Sequence, residues 1–134
     1  MESFLQEVNR LNSDPRARDR VLFKELFKEI APHTKSYLLK TIPPELSVHK
    51  PMINRVLTLI TSYRTDGEFS QEEPHEIAKV QLSRLPADTR NAILKHLREQ
   101  AVELKKAVDK KHPTAAFAGN QINQLVVALD SIDE

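Results

Sequence analysis

A chain of 134 residues has the length of one domain, and its 40% hydrophobic and 29% charged residues describe a packed core under a well-solvated surface. With 20 Lys and Arg against 19 Asp and Glu the net charge is +1, so no global field draws the chain onto nucleic acid or a membrane, and any such role rests on a local patch. The absence of Cys excludes disulfides, thiolate catalysis and Cys-ligated zinc, and fits a reducing, cytoplasmic setting.

Residues 1–10 have neither the basic start nor the apolar stretch of a secretory signal, and no later run approaches the ~18 uninterrupted apolar residues of a membrane helix. Glycine stands only at Gly67 and Gly119, which leaves no glycine-rich phosphate loop.

Helical periodicity runs through the chain, punctuated by proline. A first helix over residues 3–12 carries Phe4, Leu5, Val8 and Leu11 as one apolar stripe. Asp14-Pro15 is a restart signal, a carboxylate cap before a proline whose missing N–H costs nothing there. The second helix, residues 15–31, then buries Phe23, Leu26, Phe27 and Ile30, and Pro32 ends or kinks it. A short helical piece over 36–41 presents Tyr37, Leu38 and Leu39 before Pro43-Pro44 stops it.

The helix over 50–65 is apolar around well over half its circumference, through Met52, Ile53, Val56, Leu57, Leu59, Ile60 and Tyr63. It is expected to be the central helix that the others pack around. Asp66-Gly67 breaks it, and Ser70 and Glu73 stand at capping-box spacing before a helix over 71–84 with Ile77, Val80 and Leu85 on its buried face. Leu85-Pro86 marks the next restart. The helix over 88–111 has Ile93, Leu97, Ala101, Leu104 and Val108 as its stripe and ends in Lys105, Lys106, Lys110 and Lys111, cations that suit a helix C-terminus. After His112-Pro113, the last helix over 114–132 places Ala118, Ile122, Leu125, Leu129 and Ile132 at heptad spacing; the short connection favours an antiparallel hairpin with the preceding helix. No alternating strand pattern survives. The chain therefore reads as all-α, a single helical domain over residues 1–134 built as an orthogonal or mixed bundle of six to seven helices.

Candidate chemistry is sparse. Glu72 and His75 make one Glu-x-x-His pair, but a di-iron site needs that pair twice, and Pro74 lies between them; a capped helix start is the better account. Residues 62–73, Ser-Tyr-Arg-Thr-Asp-Gly-Glu-Phe-Ser-Gln-Glu-Glu, look like a degenerate EF-hand loop, yet Ser62 and Arg64 occupy positions where calcium needs oxygen anions, so no calcium binding is expected. The Asp66-Gly67 turn leading to Glu72-Glu73 also resembles the tellurite-resistance TerB-like helical domains over residues 53–98, through a turn common enough that it assigns no family.

His33, His49, His75, His96 and His112 lie on different segments with no i, i+4 zinc pair, and no serine sits in a nucleophile-elbow context. No cofactor or metal is expected. Arg16, Arg20, Lys24 and Lys28 recur every four residues on the expected second helix, where each like-charge step costs ~0.2–0.5 kcal/mol. Four helical residues advance ~6 Å, a spacing that suits either successive phosphates or the carboxylates of a facing acidic helix. A solvated charged face is the bland alternative. The chain is thus expected to be a non-enzymatic protein-interaction domain, an adaptor, chaperone-like or complex-subunit protein that binds a partner protein through a helix face. The runner-up is a nucleic-acid-binding subunit using the basic stripe, and an enzyme with a site assembled from distant residues ranks third.

Overall fold

The computed structural model describes residues 2–19, 22–61 and 72–133, and every element among them is helical. Helix α1 spans Glu2–Asn12, α2 Phe23–Lys40, α3 Lys50–Ile60, α4 Glu72–Ser83, α5 Ala87–Lys111 and α6 Ala116–Asp133. A 3₁₀ turn over Pro15–Arg18 precedes α2, and another over Pro44–His49 joins α2 to α3. The six α-helices bear out the expected all-α bundle. No helix among the described residues is long and apolar enough to cross a membrane.

The segment expected as one helix over 15–31 is instead a short turn followed by a longer helix. Asp14 does act as the cap, its carboxylate accepting the Arg16 backbone N–H at 2.9 Å, but Asp19 is extended and the helical path stops there. Beyond Ala17, Arg18 and Asp19 supply no apolar stripe with which to continue. Helix α2 then continues through Pro32 and takes in the expected short piece over 36–41 as far as Lys40. Its buried residues Leu26, Phe27, Ile30, Ala31, Thr34 and Leu38 form a stripe at three-and-four spacing that spans the proline without a gap. Pro32 lies on the exposed face with Lys28, so the carbonyl that loses its amide donor is on the solvent side. The internal proline costs about 3 kcal/mol, which burial of Ile30 and Leu38 at about 1.5–3 kcal/mol each offsets.

The most extensive packing is that of α6, and the expectation that α3 is the central helix is corrected accordingly. Helix α6 packs on α5, α2 and α4, while α3 packs on α4 and α2 and leaves Lys50, Pro51, Asn54, Arg55 and Thr58 exposed. The core face expected of α3 is nonetheless right: Ile53, Val56, Leu57 and Ile60 are all buried. Around α6 the buried set comprises Phe117, Ala118, Gly119, Gln121, Ile122, Leu125, Ala128, Leu129 and Ile132, where small residues let neighbouring helices approach from several sides. The antiparallel hairpin of α5 and α6 forms as expected, with both stripes buried and Leu94 added to that of α5.

Helix α4 is rotated from expectation. Ala78 and Leu82 face the core, and Ile77 and Val80 stand 43% and 52% exposed. The short side chain of Ala78 allows close approach to α3 and α6, so proximity decides the face and side-chain bulk does not. The capping pair Ser70 and Glu73, the EF-hand-like segment and the TerB-like turn lie outside the described residues or side chains.

One polar pair crosses the core between α2 and α6. The Thr34 hydroxyl, also 3.3 Å from the Ile30 carbonyl, lies 2.8 Å from Gln121 Oε1; both residues are fully buried, and Gln121 Nε2 has no partner among the described residues. Replacing Thr34 by Val removes the partner of a buried amide and should cost about 1–3 kcal/mol, read as a lower urea midpoint. The double change Thr34→Val, Gln121→Met should recover most of that loss, because it leaves no orphaned polar group. A single variant as stable as the wild type would show that the pair contributes nothing.

Candidate interaction surface

Arg16 lies in the first 3₁₀ turn and not on α2, so the four cations do not share one helix face. Its guanidinium bridges three carboxylates: Nη2 lies 2.8 Å from both Asp14 and Glu29, and Nη1 is 3.3 Å from Glu25. The glutamates come from the first turns of α2, so the contacts fold the turn back against that helix. The Arg16 hydrogen bonds, first from its side chain and then from its backbone N–H, pull the Asp14 carboxyl down to about 2. Those carboxylates in turn hold Arg16 firmly charged. Arg16 thus leaves the expected like-charge ladder and has anions of its own, while Lys24 and Lys28 remain four residues apart on α2. Lys28 is exposed on α2, the side chain of Lys24 is outside the described set, and Arg20 lies outside the described residues altogether.

A second cationic surface is built by α2 and α3. The turn over Pro44–His49 folds them antiparallel, which sets Ser36, Leu39 and Lys40 against Lys50, Pro51 and Asn54 around a depression of about 420 Å³. Further along the same seam, Lys35 Nζ donates to Thr58 Oγ1 at 3.1 Å, and that hydroxyl donates to the Asn54 carbonyl at 2.8 Å. Half-buried Leu39 and exposed Pro51 give the depression its apolar surface, which we call its floor, and the exposed Lys40 and Lys50 line it from α2 and α3 respectively. Arg55 is exposed on the outer side of α3. Among the described residues no ion pair takes up Lys35, Lys40, Lys50 or Arg55.

Even spacing of cations within one helix does not mark this surface, because its lysines come from two helices. Its signal is a lack of acids: residues 30–61 hold Lys35, Lys40, Lys50 and Arg55 against the single carboxylate Glu45. The near-neutral total thus conceals a local excess of positive charge. Val48, in the turn that joins the two helices, is 75% exposed and adds apolar surface beside Lys50.

Other depressions are less open to a partner's charge. One of about 420 Å³ between α5 and α6 is lined by Asn91, Leu94, Lys95, Arg98, Leu129 and Asp130, and Arg98 is already paired with Asp130 at 2.7 Å. Another, of about 240 Å³, lies between His75 at the start of α4 and Asn123, Gln124 and Val127 of α6. His75 Nε2 is buried there without a partner among the described residues, and burial pushes the imidazole pKa down, which favours the neutral ring. His96 Nε2 meets Thr41 Oγ1 at 3.1 Å and ties the end of α2 to α5. No cluster of three or more His, Asp or Glu suited to a metal occurs among the described residues.

No protein-family model, no curated protein and no solved structure matches this chain.

Proposed function

We propose that the chain is a non-catalytic protein-interaction domain that docks a partner protein through the groove between α2 and α3. The observation that carries this reading is the combination of an apolar floor, Leu39 and Pro51, with cations that no described carboxylate of the chain pairs. Apolar area drives association, while unpaired rim charge steers encounter and fixes register. A small adaptor or complex subunit acting in a reducing, cytoplasmic compartment fits this surface and the cysteine-free sequence.

The test compares what immobilised protein retains from its source cells under three conditions: wild type, the groove variant Lys40→Glu, Lys50→Glu, and the remote control Lys110→Glu, Lys111→Glu. A partner retained by the wild type and the control and lost by the groove variant is the expected result. Retention of the same partners by all three would remove the groove from consideration as the docking site.

A further inference from the structure

We infer that the α2–α3 groove accepts a short acidic segment of a partner protein in which a bulky apolar side chain is flanked by carboxylates. The inference rests on the reading of the groove as a docking surface and adds the chemistry of its occupant.

Charge complementarity fixes the sign. Lys35, Lys40, Lys50 and Arg55 all belong to the two helices that border the groove, and the only acidic residue of segment 30–61, Glu45, sits in the connecting turn. An occupant with basic flanks would meet like charges at both rims. The floor fixes the second requirement, because Leu39 and Pro51 offer apolar surface between the cations, and the methylene stems of Lys40 and Lys50 extend it. A polyphosphate backbone brings charge but nothing apolar to cover that floor. None of the residues lining the depression is aromatic, so stacked bases find no platform. The rim cations at the depression are lysines, compact ammonium groups without the planar fork that grips phosphate in a bidentate manner. Size sets the third. From Lys50 to Thr58 helix α3 advances about 12 Å, enough for about two turns of a docked helix or about four extended residues.

The chain's own acidic end is not this occupant. In the sequence Asp130-Ser-Ile-Asp-Glu, Ile132 is buried in the core and Asp130 is paired with Arg98.

The experiment selects a displayed library of randomised short peptides against the full chain and against Lys40→Glu, Lys50→Glu. Both lysines are exposed, so the variant should keep the wild-type far-UV circular dichroism and melting curve. Wild type should enrich peptides with Asp or Glu on both sides of Leu, Ile, Phe or Met. A synthetic copy of an enriched peptide should bind the variant about tenfold more weakly. Changing its apolar anchor to Ala should cost a similar factor. Single-stranded oligonucleotide should fail to compete at ~0.05 M salt.

Groove-dependent peptides without an acidic bias would overturn the inference while leaving the docking reading in place. Failure to enrich any peptide against wild type would also overturn the inference. Enriched peptides that bind wild type and variant equally would overturn both. Oligonucleotide binding lost in the variant, with log affinity falling about 0.7–0.9 per contacted phosphate as log salt rises, would assign the groove to nucleic acid instead.

Discussion

A chain ending at Pro113 should have no cooperative thermal transition, because the deletion removes α6 and uncovers the faces of α5, α2 and α4 packed against it. Phe117, Ile122, Leu125 and Leu129 leave the core together, and each fully buried side chain of this kind contributes about 1.5–3 kcal/mol. Their sum rivals the ~5–15 kcal/mol by which a whole domain is held folded. Far-UV circular dichroism and a thermal melt read the outcome directly. A truncated chain that melts cooperatively while losing self-association would show that the apolar seam of α6 serves contact between chains.

Replacing Leu57 by Ala should cost about 2–5 kcal/mol, since the side chain is fully buried on the core face of α3 and its removal leaves a cavity. Ile77→Ala is the informative companion. Bulk and branching alone place Ile77 in the core, but its exposed position on α4 limits the expected change to about 0.5 kcal/mol. Urea midpoints of the two variants separate the alternatives. Equal losses would mean that α4 buries the face expected from the sequence, and a negligible loss at Leu57 would place α3 at the periphery.

The contrast shows which physical information the sequence carries. Helices α5 and α6 were legible because their stripes are strong, long and uninterrupted, from Ile93 to Val108 and from Ala118 to Ile132. The course of α2 was not, because a local rule at Pro32 competes with burial of Ile30, Thr34 and Leu38 against partners that are distant in sequence. On α4, Ala78 outranks Ile77 because interhelical distance, which no single segment records, decides which side faces the core. The partners of Arg16 lie nine and thirteen residues further on, at Glu25 and Glu29, across a change of direction that periodicity does not register. The candidate groove stood half in view: the scarcity of acids over residues 30–61 is plain in the sequence, whereas the facing of Lys40 and Lys50 depends on how the Pro44–His49 turn reverses the chain.

The proline within α2 ties the existence of the groove to the fold as a whole. Only eight residues of α2 follow Pro32, and an isolated helix shorter than about 12–15 residues is marginal in water. The wall that carries Ser36, Leu39 and Lys40 is therefore expected to draw its helicity from the docking of Leu38 in the core. A ligand seated against that wall binds the native state and not a locally ordered fragment, so its binding free energy is conjugate to global unfolding. Occupancy of the proposed groove would thus be linked to stability of the entire bundle, and a partner that docks there would raise its melting temperature.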